Sequence, residues 1–157
     1  MKIGFTGTRN GMTVEQNEEV RKLLSEFLDQ YPRSEFHHGD CVGADTQAHE
    51  IAKELGYKII IHPSTHNTRA WNVGDYINTP IAPLKRNKHI VNETQFMVAT
   101  PKEHSEAAYG GTWHAIRYAT NKRRDVFIVW PSGNITETKP DYVDYNLMEM
   151  SVDGNNN

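Results

Sequence analysis

Apolar residues along this chain fall into short continuous runs, separated by longer segments in which they recur every three or four positions. The first run, residues 2–6, ends in Gly7-Thr8-Arg9 and predicts a buried strand opening onto a loop. Thr13 and Gln16 then stand at capping-box spacing, and Val20, Leu23, Leu24, Phe27, Leu28 and Tyr31 share one helical face before Pro32 stops the helix. Residues 34–38 form a second strand. Residues 46–55 form a second helix, with Ala48, Ile51, Ala52 and Leu55 on its apolar side and Gly56 placed to end it. Residues 57–62 are a third strand, whose three consecutive isoleucines suit a sheet covered on both faces.

Residues 64–79 show no sustained period and are rich in Asn, Thr and His, which predicts a long functional loop. Pro83 suits the first position of a third helix running to about residue 92, with Leu84, Ile90 and Val91 turned inward. Residues 95–100 are the fourth strand and 125–130 the fifth; between them Gly110-Gly111-Thr112 leads into a fourth helix ending near residue 120. Residues 132–157 read as a polar tail, partly disordered or docked on a neighbouring subunit through Tyr142, Tyr145, Leu147 and Met148.

Strands alternating with amphipathic helices imply an α/β three-layer sandwich: a five-stranded, mostly parallel sheet with right-handed crossovers and helices on both faces. Residues 1–131 make the domain and 132–157 its tail. Such sheets hold ligands beyond the carboxyl ends of their strands, where strand order reverses. Each glycine-rich segment of this chain lies after a predicted strand and before a predicted helix.

Composition narrows the function. A net charge of −3 argues against broad electrostatic capture of nucleic acid, leaving only local basic clusters at Lys85, Arg86 and Lys88 and at Lys122, Arg123 and Arg124. Cys41 is the only cysteine, so neither an internal disulfide nor a thiolate zinc site is expected. The N-terminus lacks the apolar core of a signal peptide, and no apolar run nears the ~20 residues that span a bilayer. A cytoplasmic protein without membrane contact is the expectation.

The chemistry-bearing residues gather at the strand ends. Gly7 lets the backbone approach a ligand, Thr8 offers a hydroxyl, and Arg9 a fork of donors suited to phosphate. In Gly39-Asp40-Cys41-Val42-Gly43-Ala44-Asp45, two glycines four apart precede a helix and can aim amide groups and the helix dipole at an anion. Asp45 is placed to cap that helix, whereas Asp40 is free to accept ribose hydroxyls or act as a base. Gly110, Gly111 and Thr112 repeat the arrangement; there Thr112 either caps the helix or joins the cradle. Arg86 and Asn87 can reach a phosphate and a base edge, and Trp71 either stacks on a ring or covers the core.

Metal ligation finds no support in pattern. His37 and His38 are adjacent on a strand and point to opposite faces, and no His-Glu-x-x-His motif is present. His62, at the end of a strand, is kept as a pocket candidate. No metal and no cofactor are expected.

Gly-Phe-Thr-Gly-Thr-Arg, the Gly39–Asp45 segment with Ala48 and His49, Arg86-Asn87, and Gly110-Gly111-Thr112 together resemble the SLOG superfamily. That group spans the Lonely Guy phosphoribohydrolases, the Smf/DprA DNA-processing proteins and nucleotide-sensing domains of anti-phage systems; the likeness is to small stand-alone bacterial and phage members, over residues 1–131. The resemblance implies a Rossmann-like fold, a nucleotide site built from Gly7, Thr8, Arg9, Gly39, Gly43, Ala44, Asp45, Arg86, Asn87, Gly110, Gly111 and Thr112, and a homo-oligomer. One departure stands out. The phosphoribohydrolases carry a catalytic glutamate two residues after their Gly-Thr, where this chain has His114, and an imidazole cannot stabilise an oxocarbenium-like sugar as a carboxylate does.

The expected function is therefore binding of a nucleotide-derived, phosphate-bearing small molecule, for instance an ADP-ribose-type signal held by a sensor or sponge. Two alternatives stand beside it: an N-glycosidic hydrolase of nucleoside phosphates or NAD derivatives, with Asp40 or Asp45 as its carboxylate, and a DNA-associated Smf-like module.

Overall fold

The apolar runs pair side by side in one sheet, described over residues 1–138 of a computed structural model. Among these residues the elements run β1 (Lys2–Gly7), α1 (Val14–Gln30), β2 (Glu35–His38), α2 (Ala44–Leu55), β3 (Lys58–Ile61), β4 (Tyr76–Ile77), α3 (Pro83–Glu93), β5 (Phe96–Thr100), α4 (Gly111–Asn121), β6 (Asp125–Val129) and β7 (Ile135–Thr138). The strand order is β4-β3-β2-β1-β5-β6-β7, parallel throughout except where β7 runs against β6. From β1 the chain builds outward through β2, β3 and β4, then returns to place β5 on the other side of β1. Strand order thus reverses between β1 and β5, where a parallel sheet opens a crevice.

Alternation within the strands supplies a core on each face. Phe5, Phe36, Ile61 and Val98 pack with Val20 and Leu24 of α1 and Ala48 and Ala52 of α2. Met97, Ala99, Val126 and Ile128 pack with Ile90 and Val91 of α3 and Trp113 and Ile116 of α4. Phe36 is fully buried with its ring 5.7 Å from that of Phe5, so truncating it to alanine is expected to cost about 3–5 kcal/mol.

The local signals act as their chemistry requires. Thr13 and Gln16 complete both bonds of the capping box of α1. Gly56 takes the left-handed conformation that closes α2, donating to the carbonyls of Ala52 and Lys53. Pro83 occupies the first turn of α3, where its missing N–H has no helical acceptor to lose.

Five expectations need correction. The sheet has seven strands, not five. β4 lies inside the stretch read as a long loop, and two residues are too few to show a period. β7 lies in the stretch read as a tail. Its Ile-Thr-Glu-Thr sequence is nearly all polar because it is an edge strand, held by pairing with β6 and a tight turn in which Gly133 donates to the Trp130 carbonyl. Leu84 is 55% exposed rather than turned inward. Finally, α2 begins at Ala44, two residues before the periodic pattern, because its first turn is mostly polar. The tail residues Tyr142, Tyr145, Leu147 and Met148 lie outside the described residues.

Candidate functional site

The turns leaving β1, β2 and β5 meet. They line one crevice of about 610 Å³ at the carboxyl edge of the sheet, over the point where strand order reverses. Gly7, Thr8 and Arg9 form its floor and one wall, Gly39, Cys41 and Asp45 a second, and Gly110, Gly111, Thr112 and Trp113 a third. Arg86 and Asn87 close it from the first turn of α3, while Ser64, His66 and Thr68 reach it from the β3 exit. First-turn residues of α2, α3 and α4 all line the space, and a helix start carries amide groups without helical acceptors and a partial positive charge.

The β1 turn is fixed by its own bonds. The Thr8 amide donates to the Thr100 carbonyl at 3.0 Å, the Thr8 carbonyl accepts from Gly11 and Ala44, and its hydroxyl accepts from the Asn10 amide at 3.1 Å. Gly43 crosses beneath Arg9 at φ +90°, and a side chain there would run into the Arg9 carbonyl. Both demands leave glycine as the residue that fits. The Arg9 side chain is exposed at the rim.

Across the floor, Arg86 is 7% exposed and acts as an internal tie. Its Nη1 donates to the carbonyls of Gly39 at 2.6 Å and His62 at 3.2 Å, its Nε to Asn87 Oδ1 at 3.0 Å, and its Nη2 to Cys41 Sγ at 3.6 Å. Four donor contacts to the protein leave a fixed positive field rather than a mobile phosphate clamp. Gly39 lies against this guanidinium, and a Cβ there would sit 2.5 Å from Nη1.

Asp45 faces the same space from the first turn of α2, 5% exposed. It does not cap the helix: Gly43 occupies the N-cap position without a side-chain bond, and Asp45 Oδ2 instead accepts from the Cys41 amide at 3.0 Å. Burial raises its carboxyl to about 6, with Arg86 and the Cys41 amide pulling the other way. Burial, then Asp45, also pushes the Cys41 thiol up, so that sulfur is no ready nucleophile.

The α4 wall is differently made. Gly110 is the N-cap of α4 at φ +109°, and Thr112 does not cap it. A Cβ at Gly110 or Gly111 would meet nothing within 4 Å, so this wall faces open space. Asn87 Nδ2 reaches the Gly111 carbonyl at 3.4 Å across the crevice. Two lining residues carry buried polar atoms that have no hydrogen-bond partner among the described residues: Glu103 Oε2 and Trp113 Nε1. Neither residue belongs to a motif. The one hint in sequence is their position, in the loop after β5 and in the first turn of α4, the places that such sheets use for ligands. His114 lies outside the crevice wall.

Five of the residues expected at the site do not line the crevice: Gly43, which crosses beneath Arg9, and four others. Asp40 is fully buried at φ 58°, with Oδ2 accepting from Arg69 Nε and Oδ1 from the Asn72 amide and side chain, each at 2.9 Å. It staples the 64–79 segment onto the β2 turn and has no wall in the crevice. Ala44 packs beneath Gly7 and donates its amide to Thr8. Trp71 is 71% exposed and stacks under the Arg69 guanidinium, 3.8 Å from ring centroid to carbon, covering neither core nor crevice. His62 turns away to the α3 face, where its Nε2 lies 2.8 Å from His37 Nδ1. His66, by contrast, reaches the crevice.

No family model and no curated protein sequence matches the chain. Solved structures do. The structure of TM1055, from a structural genomics consortium, aligns at TM-score 0.57 and 14% identity over 80% of this chain and 71% of that one. DNA processing protein A from Helicobacter pylori, described for its single-stranded DNA binding, aligns at 0.59 and 17% over 96% and 73%. The molybdenum cofactor binding protein of the phototrophic bacterium Rippkaea orientalis aligns at 0.63 and 17% over 95% and 96%. The chain shares with these structures a Rossmann-like fold. Among the described residues no helix is long and apolar enough to cross a membrane.

Proposed function

We propose that the protein binds a nucleotide-derived small molecule through its phosphate, in the crevice between the β1, β2 and α4 turns. The observation that carries this reading is the convergence of three glycine-bearing turns and three helix starts on one cavity of about 610 Å³. That size falls within the roughly 300–1,000 Å³ of small-molecule sites. The phosphate belongs at the α4 start, where Gly110 and Gly111 leave room and the first amide groups lack helical acceptors. Arg9 at the rim supplies a free fork of donors, and the buried Arg86 a fixed positive field. Trp113 Nε1, a donor only, is suited to a ligand oxygen.

The structural neighbours named above bind, by their descriptions, a molybdenum cofactor and single-stranded DNA. A small ligand suits a crevice of about 610 Å³ better than a strand does. The basic groups Arg9 and Lys102 stand here beside the acidic Asp45 and Glu103, not along a groove of stacking aromatics. Calorimetry across ADP-ribose, AMP, NAD and cyclic dinucleotides tests the proposal. One class is expected to bind at micromolar level with one site per chain. Silence across the panel, or binding only to single-stranded DNA with a steep salt slope, rejects it.

One observation favours a second reading, hydrolysis of an N-glycosidic bond. Glu103, in the loop after β5, lines the crevice and carries a buried carboxylate oxygen with no partner among the described residues, a group that would stand in for the phosphoribohydrolase glutamate, whose position is His114. In that reaction water adds to the sugar carbon and the carbon–nitrogen bond breaks; adenine leaves AMP with the proton from water, whereas nicotinamide leaves NAD neutral and that proton passes to solvent. Free base released from AMP or NAD, and lost in Glu103→Gln, supports it; ligand bound and recovered intact supports binding alone.

A further inference from the structure

On the α3 face of the sheet, away from the crevice wall, three potential ligand groups converge. His37 of β2 and His62, just past β3, hold Nδ1 and Nε2 2.8 Å apart, and Glu93 at the end of α3 sets Oε2 3.5 Å from His62 Nε2 and 3.8 Å from His37 Nδ1. We propose that His37, His62 and Glu93 form a binding site for one divalent first-row transition ion, with zinc the favoured occupant.

The geometry is close to what such an ion requires. Tetrahedral zinc with ligands at about 2.0–2.1 Å sets neighbouring donor atoms about 3.3 Å apart. The three separations here bracket that value. The shortest, between the imidazoles, is that of a hydrogen bond and must open by about half an ångström on ligation. Two imidazoles and one carboxylate is an N/O donor set that suits zinc, with a fourth position left for water. Glu93 is 46% exposed and gives that position its route to solvent, whereas both histidines are 2% exposed.

The surroundings fit as well. His37 Nε2 faces Glu35 Oε1 at 3.0 Å, so its proton belongs on Nε2 and its Nδ1 presents a lone pair to the site. This carboxylate–histidine arrangement is what orients metal-ligating imidazoles. In the ion-free chain of bonds, His62 Nε2–H donates to His37 Nδ1 while Asn78 Nδ2 faces His62 Nδ1 at 3.3 Å. Entry of the ion displaces the His62 Nε2 proton. It leaves to solvent or moves to Nδ1, where the Asn78 amide turned over would accept it. Two carboxylates, Glu35 and Glu93, face the imidazole pair, a charge balance that suits a dication.

The other histidine of this strand makes the contrast. His38, on the opposite face, pairs with His49 at 2.9 Å, and neither has a carboxylate within ion-pair distance among the described residues. One strand thus carries two histidine pairs, of which only one is built with acids around it. An ion there would also act on the crevice, because the His62 carbonyl is held by Arg86.

The test is titration of the tag-free, metal-free full chain with Co2+, followed by its visible absorption, and then competition with Zn2+. The expected result is saturation at one ion per chain, displacement by zinc, and a rise in unfolding temperature. Glu93→Gln, at a half-exposed helix end where folding is not at stake, should weaken Co2+ binding at least tenfold. Glu35→Gln should weaken it by about 10–100-fold through the orientation of His37. Absence of saturable Co2+ binding overturns the proposal, and so does Glu93→Gln binding Co2+ as tightly as the unaltered chain. Circular dichroism of each variant keeps a folding defect from passing for loss of a ligand.

Discussion

The two sides of the crevice are made on opposite plans. On the β2 side the charged groups have tasks within the protein: Arg86 holds two carbonyls and a thiol, Asp45 holds the Cys41 amide, and Asp40, behind the crevice wall, holds Arg69 and Asn72. On the α4 side Glu103 Oε2 and Trp113 Nε1 have no partner among the described residues, and Gly110 and Gly111 face open space. Buried polar atoms normally find partners, so the first side reads as scaffold and the second as the surface awaiting a ligand. The charged residues that attract attention in sequence, Asp40 and Arg86, mostly build the scaffold. In the proposed reading, glycines and a tryptophan do the receiving.

The contrast breaks most visibly at Asp40. Asp40→Ala leaves a guanidinium and an amide group without their buried carboxylate, and is expected to cost on the order of 3 kcal/mol in urea unfolding. Asp40→Asn should cost less, since asparagine tolerates the left-handed backbone found there at φ 58° and keeps part of the bonding. If either change abolished ligand turnover while leaving stability intact, Asp40 would belong to the chemistry and the division into two sides would fail.

Asp45 gives the next largest effect, through pH. Its folded carboxyl, near 6, lies above the ordinary unfolded value, so the folded state binds its proton more tightly. The stabilisation from that proton is full below about pH 4 and is lost as pH rises through about 6. Between those limits Asp45 should account for roughly 2 kcal/mol of falling stability, flattened in Asp45→Asn. Arg86, Asp40 and Cys41 face the same carboxylate, so the comparison is of the two proteins' profiles, not of either alone. Equal slopes in both would show that desolvation does not dominate at this site.

Gly111→Leu sharpens the α4 side. Its Cβ enters open space, so folding should be nearly unchanged while the side chain occupies the phosphate position. Affinity for the bound nucleotide should fall more than tenfold, about 1.4 kcal/mol or more. An unchanged affinity would move the phosphate elsewhere along the crevice.

Why sequence reading reached some of this and not the rest follows from the distances along the chain. Helix periods, the capping box at Thr13 and Gln16, and the glycine turns are local, and local signals survive without the fold. β4, with two residues, and β7, with one apolar residue in four, are strands only because β3 and β6 lie beside them. Asp40 meets Arg69 and Asn72 across 29 and 32 residues, and His37 meets His62 across 25. Read locally, Asp40 was an unemployed carboxylate and the histidines of one strand pointed apart. The second inference was right: His37 pairs with His62 on one face and His38 with His49 on the other. What the local pattern could not supply was the partner arriving from the next strand.

Glu103→Gln is the smallest and most discriminating change. The carboxylate is half-buried, so solvent screens part of its field, and removing it should improve affinity for a phosphate ligand by only about threefold. Glutamine keeps the shape, and its amide nitrogen can donate where the carboxylate could only accept. A binding protein therefore gains slightly. A hydrolase loses nearly everything, because the group that supports the developing sugar cation is gone, by a factor of about 10² or more in turnover. The two readings of the crevice thus predict changes of opposite sign from one oxygen-to-nitrogen exchange. Measured together, affinity and base release from the same Glu103→Gln preparation show whether the unpartnered α4 side only receives a ligand or also acts on it.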